Sequence, residues 1–423
     1  MEGNEMTETV AKAKAATRVK GLGGLMAGYF GVQLFVNIAN GGVANDLIPN
    51  LITHIDAHDK VEILGIVGAV AAVAALVTQP LWGLLSDHTR SRLGRRVPWI
   101  LGGIVGLALV FLGLSTVNSV LLIAVGAALV SVFYSMITGP ISAIIPDRTP
   151  VARRGVFSAL GSLGIFVGGL AGVVIASQFV STLTIGFIVI AGLLLVGAIP
   201  FTFALRDRKF NELGAPDERV SWLETLKGFF VNPRKHPDFF WAFLARLVLI
   251  VGYWSIVSFQ LYILDDYIGL RLTKANQLFP VTTAVLGVGI IVALIPSGIL
   301  SDRIGRRKPF VIVASVIVAV SALIPIFAPT VAGALTSVAI GGIGIGVYLA
   351  VDQALMTQVL PNASKDAGKD LGVLNIAQAG GQVVAPLVAS LVIGIGGYPV
   401  LYGFAAVMAA LAAAFVLPIK SVR

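Results

Sequence analysis

The stretch GLLSDHTRSRLGRRVP, residues 83–98, has a shorter twin, GILSDRIGRRKP, at residues 298–309. Each begins on a glycine at the end of an apolar run, passes through Ser-Asp and closes on Gly-Arg-Arg ahead of a proline. Asp87 and Asp302 stand 215 residues apart, and a second pair of anchors, Pro146-Asp147 and Pro361-Asn362, keeps that offset. Two anchors at one spacing read as a duplication of roughly half the chain, an arrangement common in membrane proteins built from repeats.

Outward from these loops the chain is a series of apolar runs. A crossing helix needs about 20 mostly apolar residues. Such runs occupy 21–42, 61–85, 98–117, 119–144, 155–179 and 183–205, then 238–265, 277–300, 309–328, 331–359, 371–396 and 398–417. The expected fold is an all-α integral membrane protein with twelve transmembrane helices in two pseudo-symmetric six-helix bundles, at 21–205 and 238–418. Tails at 1–20 and 419–423 and a central loop at 206–237 complete it. Within that loop Ser221 and Glu224 fit a capping box. Trp222, Leu223, Leu226, Phe229 and Phe230 follow at helical spacing, as in a helix lying on a membrane surface.

Composition agrees. Hydrophobic residues make up 57% of the 423 and charged residues 12%, with a mean hydropathy of +0.93. A soluble chain carries about a quarter charged residues, and this many apolar side chains would leave large exposed patches in water. Glycine, 48 residues, suits close helix packing in lipid. Cysteine is absent, which excludes disulfides, thiolate nucleophiles and cysteine-ligated metals. The N-terminal residues lack a signal-peptide pattern, so the first run is expected to persist in the mature protein.

Of the 30 lysines and arginines, all but Lys60, Arg246, Arg271 and Lys274 fall in the tails, the central loop and the even-to-odd helix connections. The positive-inside rule then puts both termini in the cytoplasm of a multi-pass protein of the cell membrane. The net charge of +9 reads as an anchor to anionic lipid, not as a nucleic-acid surface.

With the Asp302-Arg303-Ile304-Gly305-Arg306-Arg307 signature and its twin in view, the chain resembles the major facilitator superfamily over its whole length. The longer first copy, SDHTRSRLGRRVP, together with Lys369–Gln378 (KDLGVLNIAQ), is similar to the branch holding sucrose transporters and glycoside–pentoside–hexuronide cation symporters. Val97 and His88 stand where that branch favours basic residues. Melibiose-type members place acids within helices 2 and 4 for sodium. Here helix 4 has none and helix 2 only Glu62, at its outer end. The resemblance implies a conformational gate at Gly83, Asp87, Arg95, Arg96, Gly298, Asp302, Arg306 and Arg307.

Polar side chains at membrane depth are costly and mark cavities or partners. They form stripes: Gln33, Asn37 and Asn40; Ser131, Tyr134 and Thr138; Arg246, Tyr253 and Gln260; Tyr348 and Asp352; Asn375, Gln378 and Gln382. The resemblance implies that helices 1, 4, 7 and 10 line a central cavity. The expected substrate contacts are therefore Gln33, Asn37, Tyr134, Arg246, Tyr253, Gln260, Tyr348, Asn375, Gln378 and Gln382. Amides and aromatic rings offer a polyol paired donors and acceptors and a flat apolar face. Arg246 and Asp352 lie at similar depth, about 12 Å from one face at 1.5 Å per residue. They are expected to pair and to serve coupling, with Asp352 either carrying a proton or acting as a structural partner.

The reading that follows is alternating-access secondary transport, a proton-coupled uptake of a sugar or glycoside. The partners expected are a small-molecule solute, the lipid bilayer and protons, with no nucleic acid and no cofactor. A facilitator or a drug or metabolite exporter of the same fold is the alternative. A membrane-embedded enzyme or receptor is the alternative of another class. An enzyme would need a catalytic cluster, yet the four histidines (His54, His58, His88, His236) fall in loops, and no H-E-x-x-H or phosphate-binding loop occurs. His54, Asp56, His58 and Asp59 cluster in one short loop, too common a pattern to read as a metal site.

Overall fold

The computed structural model describes residues 22–149, 153–206, 235–359 and 367–419. The expected surface helix at residues 221–230 lies outside these. The first half comprises α1 (Leu22–Ile55), α2 (Lys60–His88), α3 (Val97–Leu114), α4 (Val120–Ser142), α5 (Arg154–Ala176) and α6 (Leu183–Ala204). The second comprises α7 (Pro237–Ser258), α8 (Leu272–Ile304), α9 (Lys308–Phe327), α10 (Val331–Gln358) and α11 (Ala367–Val416). Among the described residues eleven helices are long and apolar enough to cross a membrane.

The last of them accounts for the difference from twelve runs. Fifty helical residues would span about 75 Å, far beyond a hydrocarbon core of about 30 Å. The backbone of α11 leaves helical geometry at Gly396 (φ −160°, ψ 24°) and Gly397 (φ 74°, ψ −168°), where the expected runs part. Gly397 adopts a positive φ that a side chain would disfavour.

Two helix ends differ from expectation. The run expected to stop at Gly42 continues to Ile55 through a wide π turn at Val43–Leu47. The polar letters that suggested a loop are instead internal, with Asp46 and Asn50 both buried. The run expected to reach Asp265 stops at Ser258, because Phe259 (φ −108°, ψ 11°) departs from the helical region. A short turn Gln260–Tyr262 and a π turn Ile263–Tyr267 carry the chain onward.

Packing follows the halves. In the first, α1 lies on α5 and α6, α2 on α4, and α3 on α4 and α6; in the second, α7 lies on α11, α8 on α10, and α9 on α10 and α11. Across the halves α2 meets α11 and α5 meets α8. The α1–α5 contact is nearly backbone to backbone: a Cβ on Gly172 would sit 2.1 Å from the Ile38 carbonyl oxygen, and one on Gly168 2.4 Å from that of Leu34. Small residues permit this approach where lipid supplies no hydrophobic drive between helices. Large apolar side chains face outward, among them Leu121, Val196, Phe327 and Ile395, a surface stable only against lipid.

The ends of the molecule bearing the two arginine loops are called the basic face here, and the opposite ends the far face.

Candidate functional site

Between α1, α2, α4 and the first arm of α11 lies a cavity of about 290 Å³. Asn40, Ala71, Ala75, Ser131, Tyr134 and Gln382 are among its lining residues. Small side chains on α2 create the room, while the polar groups project from the other three helices. One layer behind, Asn37 donates to the Gln33 carbonyl (2.7 Å) and accepts from the Tyr134 hydroxyl (3.1 Å). Gln33 and Asn37 are buried, and the Asn37 amide, held by the Gln33 main-chain carbonyl, orients Tyr134 at the cavity wall.

A second polar centre joins α7, α10 and α11. Arg246, 1% exposed, places Nη2 3.3 Å from Asp352 Oδ2, and the same nitrogen donates to Gln378 Oε1. The expected ion pair is present. Taking two charges out of water is costly unless geometry and further hydrogen bonds offset it, and Gln378 supplies such a bond. Tyr348, one turn before Asp352, is buried.

The predicted contacts therefore fall into groups. Tyr134 and Gln382 line the cavity, Asn37 backs Tyr134, and the Gln33 main-chain carbonyl holds Asn37. Arg246, Gln378 and Asp352 meet in the ion-pair centre, with Tyr348 nearby in sequence. Tyr253 packs edge-on to Trp254, centroids 5.9 Å apart. Gln260 drops out of the α7 stripe: the helix has ended, and Gln260 stands two residues from Tyr262, whose hydroxyl donates to the Pro49 carbonyl at 2.9 Å. Asn375 stands on α11, and its side chain lies outside those described.

The first arginine loop is closely tied. Arg95 Nη2 contacts Asp147 Oδ2 at 2.5 Å; Arg96 binds the same carboxylate, donates to the Pro140 carbonyl at 2.7 Å and lies 3.4 Å from Asp87 Oδ1. Burial lowers the Arg96 guanidinium below its ordinary value, opposed by Asp147, reinforced by Arg95 and opposed again by Asp87; it remains charged at physiological pH. In the second loop Lys308 donates to the carbonyls of Leu417 and, at 3.1 Å, Ile419. Arg306 is exposed and Arg307 half-buried; the Asp302 side chain lies outside those described. Gly83 and Gly298 sit inside α2 and α8, not at the reversals. The turns are made by Gly94 and Gly305, with φ of 98° and 67°, where only glycine is free of strain.

Sequence reasoning missed the far face. Lys60 Nζ lies 2.7 Å from both Asp265 Oδ2 and Asp266 Oδ1, with Tyr398 donating to Asp266 at 2.7 Å. Asn50 and Asn276 exchange amide hydrogen bonds at 2.8 and 3.0 Å. Both contacts cross between the halves. The available signal was an adjacent pair of aspartates together with Lys60, one of the few cations away from the basic loops.

A sequence profile described as Major Facilitator Superfamily matches residues 25–293 and 277–422. A bacterial homologue of the human lysosomal transporter Spinster, solved inward-facing and unoccupied, is similar with a TM-score of 0.63 and 16% identity, covering 94% of this chain and 95% of that one. The nucleoside transporter NupG is similar with a TM-score of 0.75 and 13% identity, covering 93% and 99%. At such identities these structures share the fold alone. A protein of Synechocystis sp. named as an uncharacterized symporter is 47% identical over 47 residues, 11% of this chain and 9% of that protein.

Proposed function

We propose that this chain, which belongs to the Major Facilitator Superfamily and so to the transporters rather than the enzymes, is a secondary active symporter that takes up a sugar or glycoside together with protons. The observation that carries the reading is the buried Arg246–Asp352 pair with Gln378, in a chain that also holds a polar cavity between its halves. The short symporter match supports co-transport.

In this reading the basic face is cytoplasmic and twelve crossings form two bundles, 21–205 and 238–418, that rock about the midplane. The solute sits against Tyr134 and Gln382, with Asn37 fixing Tyr134 and with Tyr253, Tyr348 and Gln378 facing it from the second half. Asp352 takes up a proton when Arg246 turns to the solute, and returns it when the pair re-forms. A ligand that binds one state better shifts the equilibrium by its differential affinity; here proton and solute bias the same rocking motion. The loop residues Asp87, Arg95, Arg96, Asp302, Arg306 and Arg307 set the closure of the cytoplasmic side.

Purified protein in proteoliposomes, offered a panel of labelled sugars with and without a pH gradient, tests this. At least one sugar should accumulate only with the gradient. Asp352→Asn should abolish uphill accumulation and keep counterflow exchange. No gradient-driven uptake of any sugar would remove the reading in favour of an exporter, and full accumulation by Asp352→Asn would remove the proton role of that residue.

A further inference from the structure

Asp46 belongs to none of the groups above. It sits in the π turn Val43–Leu47 of α1 with no exposed surface. Its Oδ1 accepts from Asn50 Nδ2 at 2.8 Å. That same amide donates to Asn276 Oδ1 at 2.8 Å, and Asn276 returns a bond to Asn50 Oδ1 at 3.0 Å. Asn50 is 2% and Asn276 1% exposed. The chain Asp46–Asn50–Asn276 thus runs from α1 of the first half to α8 of the second, inside the far-face seam. At its root Asp46 Oδ2 is buried and meets no hydrogen-bond donor.

The surroundings provide no positive charge. The π turn packs on α5 and α6. Of their residues only Arg154, at the opposite end of α5, is ionisable. On α1 itself His54 is exposed; on α8 Lys274 is exposed, and Asp302 and Arg303 lie at the basic face. Lys60 is held by Asp265 and Asp266, and the Tyr262 hydroxyl by Pro49. A bare carboxylate in such a place would be an uncompensated buried charge. A metal ion is poorly served: Asp46 is the one carboxylate, and each asparagine oxygen already accepts an amide hydrogen. A π turn within an α-helix is itself often a functional feature.

We propose that Asp46 is a proton-binding site of the far-face seal: its carboxyl is protonated while Asn50 and Asn276 are joined, and ionises when the halves part there and water reaches it. The site is separate from Arg246–Asp352 and does not depend on which solute is carried. Because closure binds a proton that opening releases, acid favours the sealed far face. The ratio of open to sealed molecules rises by up to about tenfold per pH unit where only the open form is ionised.

The native chain has no cysteine, so Ala57→Cys and Arg271→Cys place two spin labels on opposite halves of the far face. Pulsed dipolar distances in nanodiscs across a pH series should show the short-distance population dominant in acid and a longer one growing as pH rises. Asp46→Asn, a permanently neutral mimic, should stay short at every pH. The same labels in Asp352→Asn should keep the pH response, and this arm decides the matter should Asp46→Asn fail to fold. Replacing His54 and His58 by glutamine should also leave the response in place. A parent without pH response, an Asp46→Asn protein that responds like the parent, or a response lost in Asp352→Asn or in the histidine variant overturns the proposal.

Discussion

On the far face Lys60 of the first half reaches Asp265 and Asp266 of the second, whereas on the basic face Arg95 and Arg96 turn back onto Asp147 and Asp87 of their own half. The amide pair Asn50–Asn276 and the Tyr262–Pro49 bond repeat the far-face pattern. The Arg148 bond to the Leu205 carbonyl and the Lys308 bonds to Leu417 and Ile419 repeat that of the basic face. Strong polar contacts of similar length therefore do two jobs. Those on the far face depend on how the halves are placed, and those described on the basic face travel with one half. This structure is sealed on the far side by contacts that any rocking motion must break.

The sharpest way to break the comparison is Lys60→Met. The ammonium, whose side chain is 8% exposed, serves two carboxylates and lies 5.0 Å from the Tyr262 ring centroid. Without it Asp265 and Asp266 repel each other across no cation. Removing one partner of a fully buried pair costs about 3–5 kcal/mol. Because Asp265 and Asp266 keep 17% and 35% of their side-chain surface, about 2 kcal/mol is expected here, enough to shift the open-to-sealed ratio roughly thirtyfold. Spin-label distances between Ala57→Cys and Arg271→Cys should lengthen. An unchanged distance distribution would mean that Lys60 does not hold the seam.

Asp147→Asn is the matching change on the basic face. It removes the carboxylate shared by Arg95 and Arg96 and leaves Asp87 at 3.8 and 3.4 Å. Charge-assisted hydrogen bonds of this kind are worth about 1–2 kcal/mol once partial exposure is allowed for. The loss should appear as a lower unfolding temperature of the purified protein, with far-face distances unaltered. A shift in those distances would show that the basic-face contacts also govern the placement of the halves. The duplication frames this test, since the residue matching Asp147 in the second copy is already Asn362.

The legible parts of the molecule were those with local signals. Apolar runs, the 215-residue offset and the charge distribution describe helices one at a time, and the helices are where those signals place them. The Arg246–Asp352 pair was legible because two ions at equal depth have few other partners. Helix ends were less so. Asn45, Asp46 and Asn50 look like a loop in sequence, yet Asp46 and Asn50 are buried, and α1 runs on to Ile55. Gln260 looks like a continuation of the Arg246–Tyr253 stripe until Phe259 breaks the helix. The far-face seam was not legible because its partners lie more than 200 residues apart and obey no spacing rule. Asp147 was noted as a repeat anchor, but its role as acceptor for two arginines depends on a fold-back that the spacing does not encode.

The smallest effect sharpens the comparison most. His58 Nδ1 lies 2.6 Å from Asp59 Oδ1, as short a contact as either of Lys60, but its side chain is 94% exposed. The Asp59 hydrogen bond raises the imidazole above its ordinary value. By linkage, any stability gained is present below the unfolded-state histidine value and lost as pH rises through the folded one. Water screens such a pair, and exposed ion pairs contribute little. His58→Ala should therefore leave both the unfolding temperature and the far-face distances unchanged from acid to neutral pH, in thermal scans and dipolar spectra run beside Lys60→Met. If the two substitutions acted alike, contact distance would govern the seam. If only Lys60→Met acts, what governs the seam is burial of a contact that bridges two halves able to move apart, not contact distance.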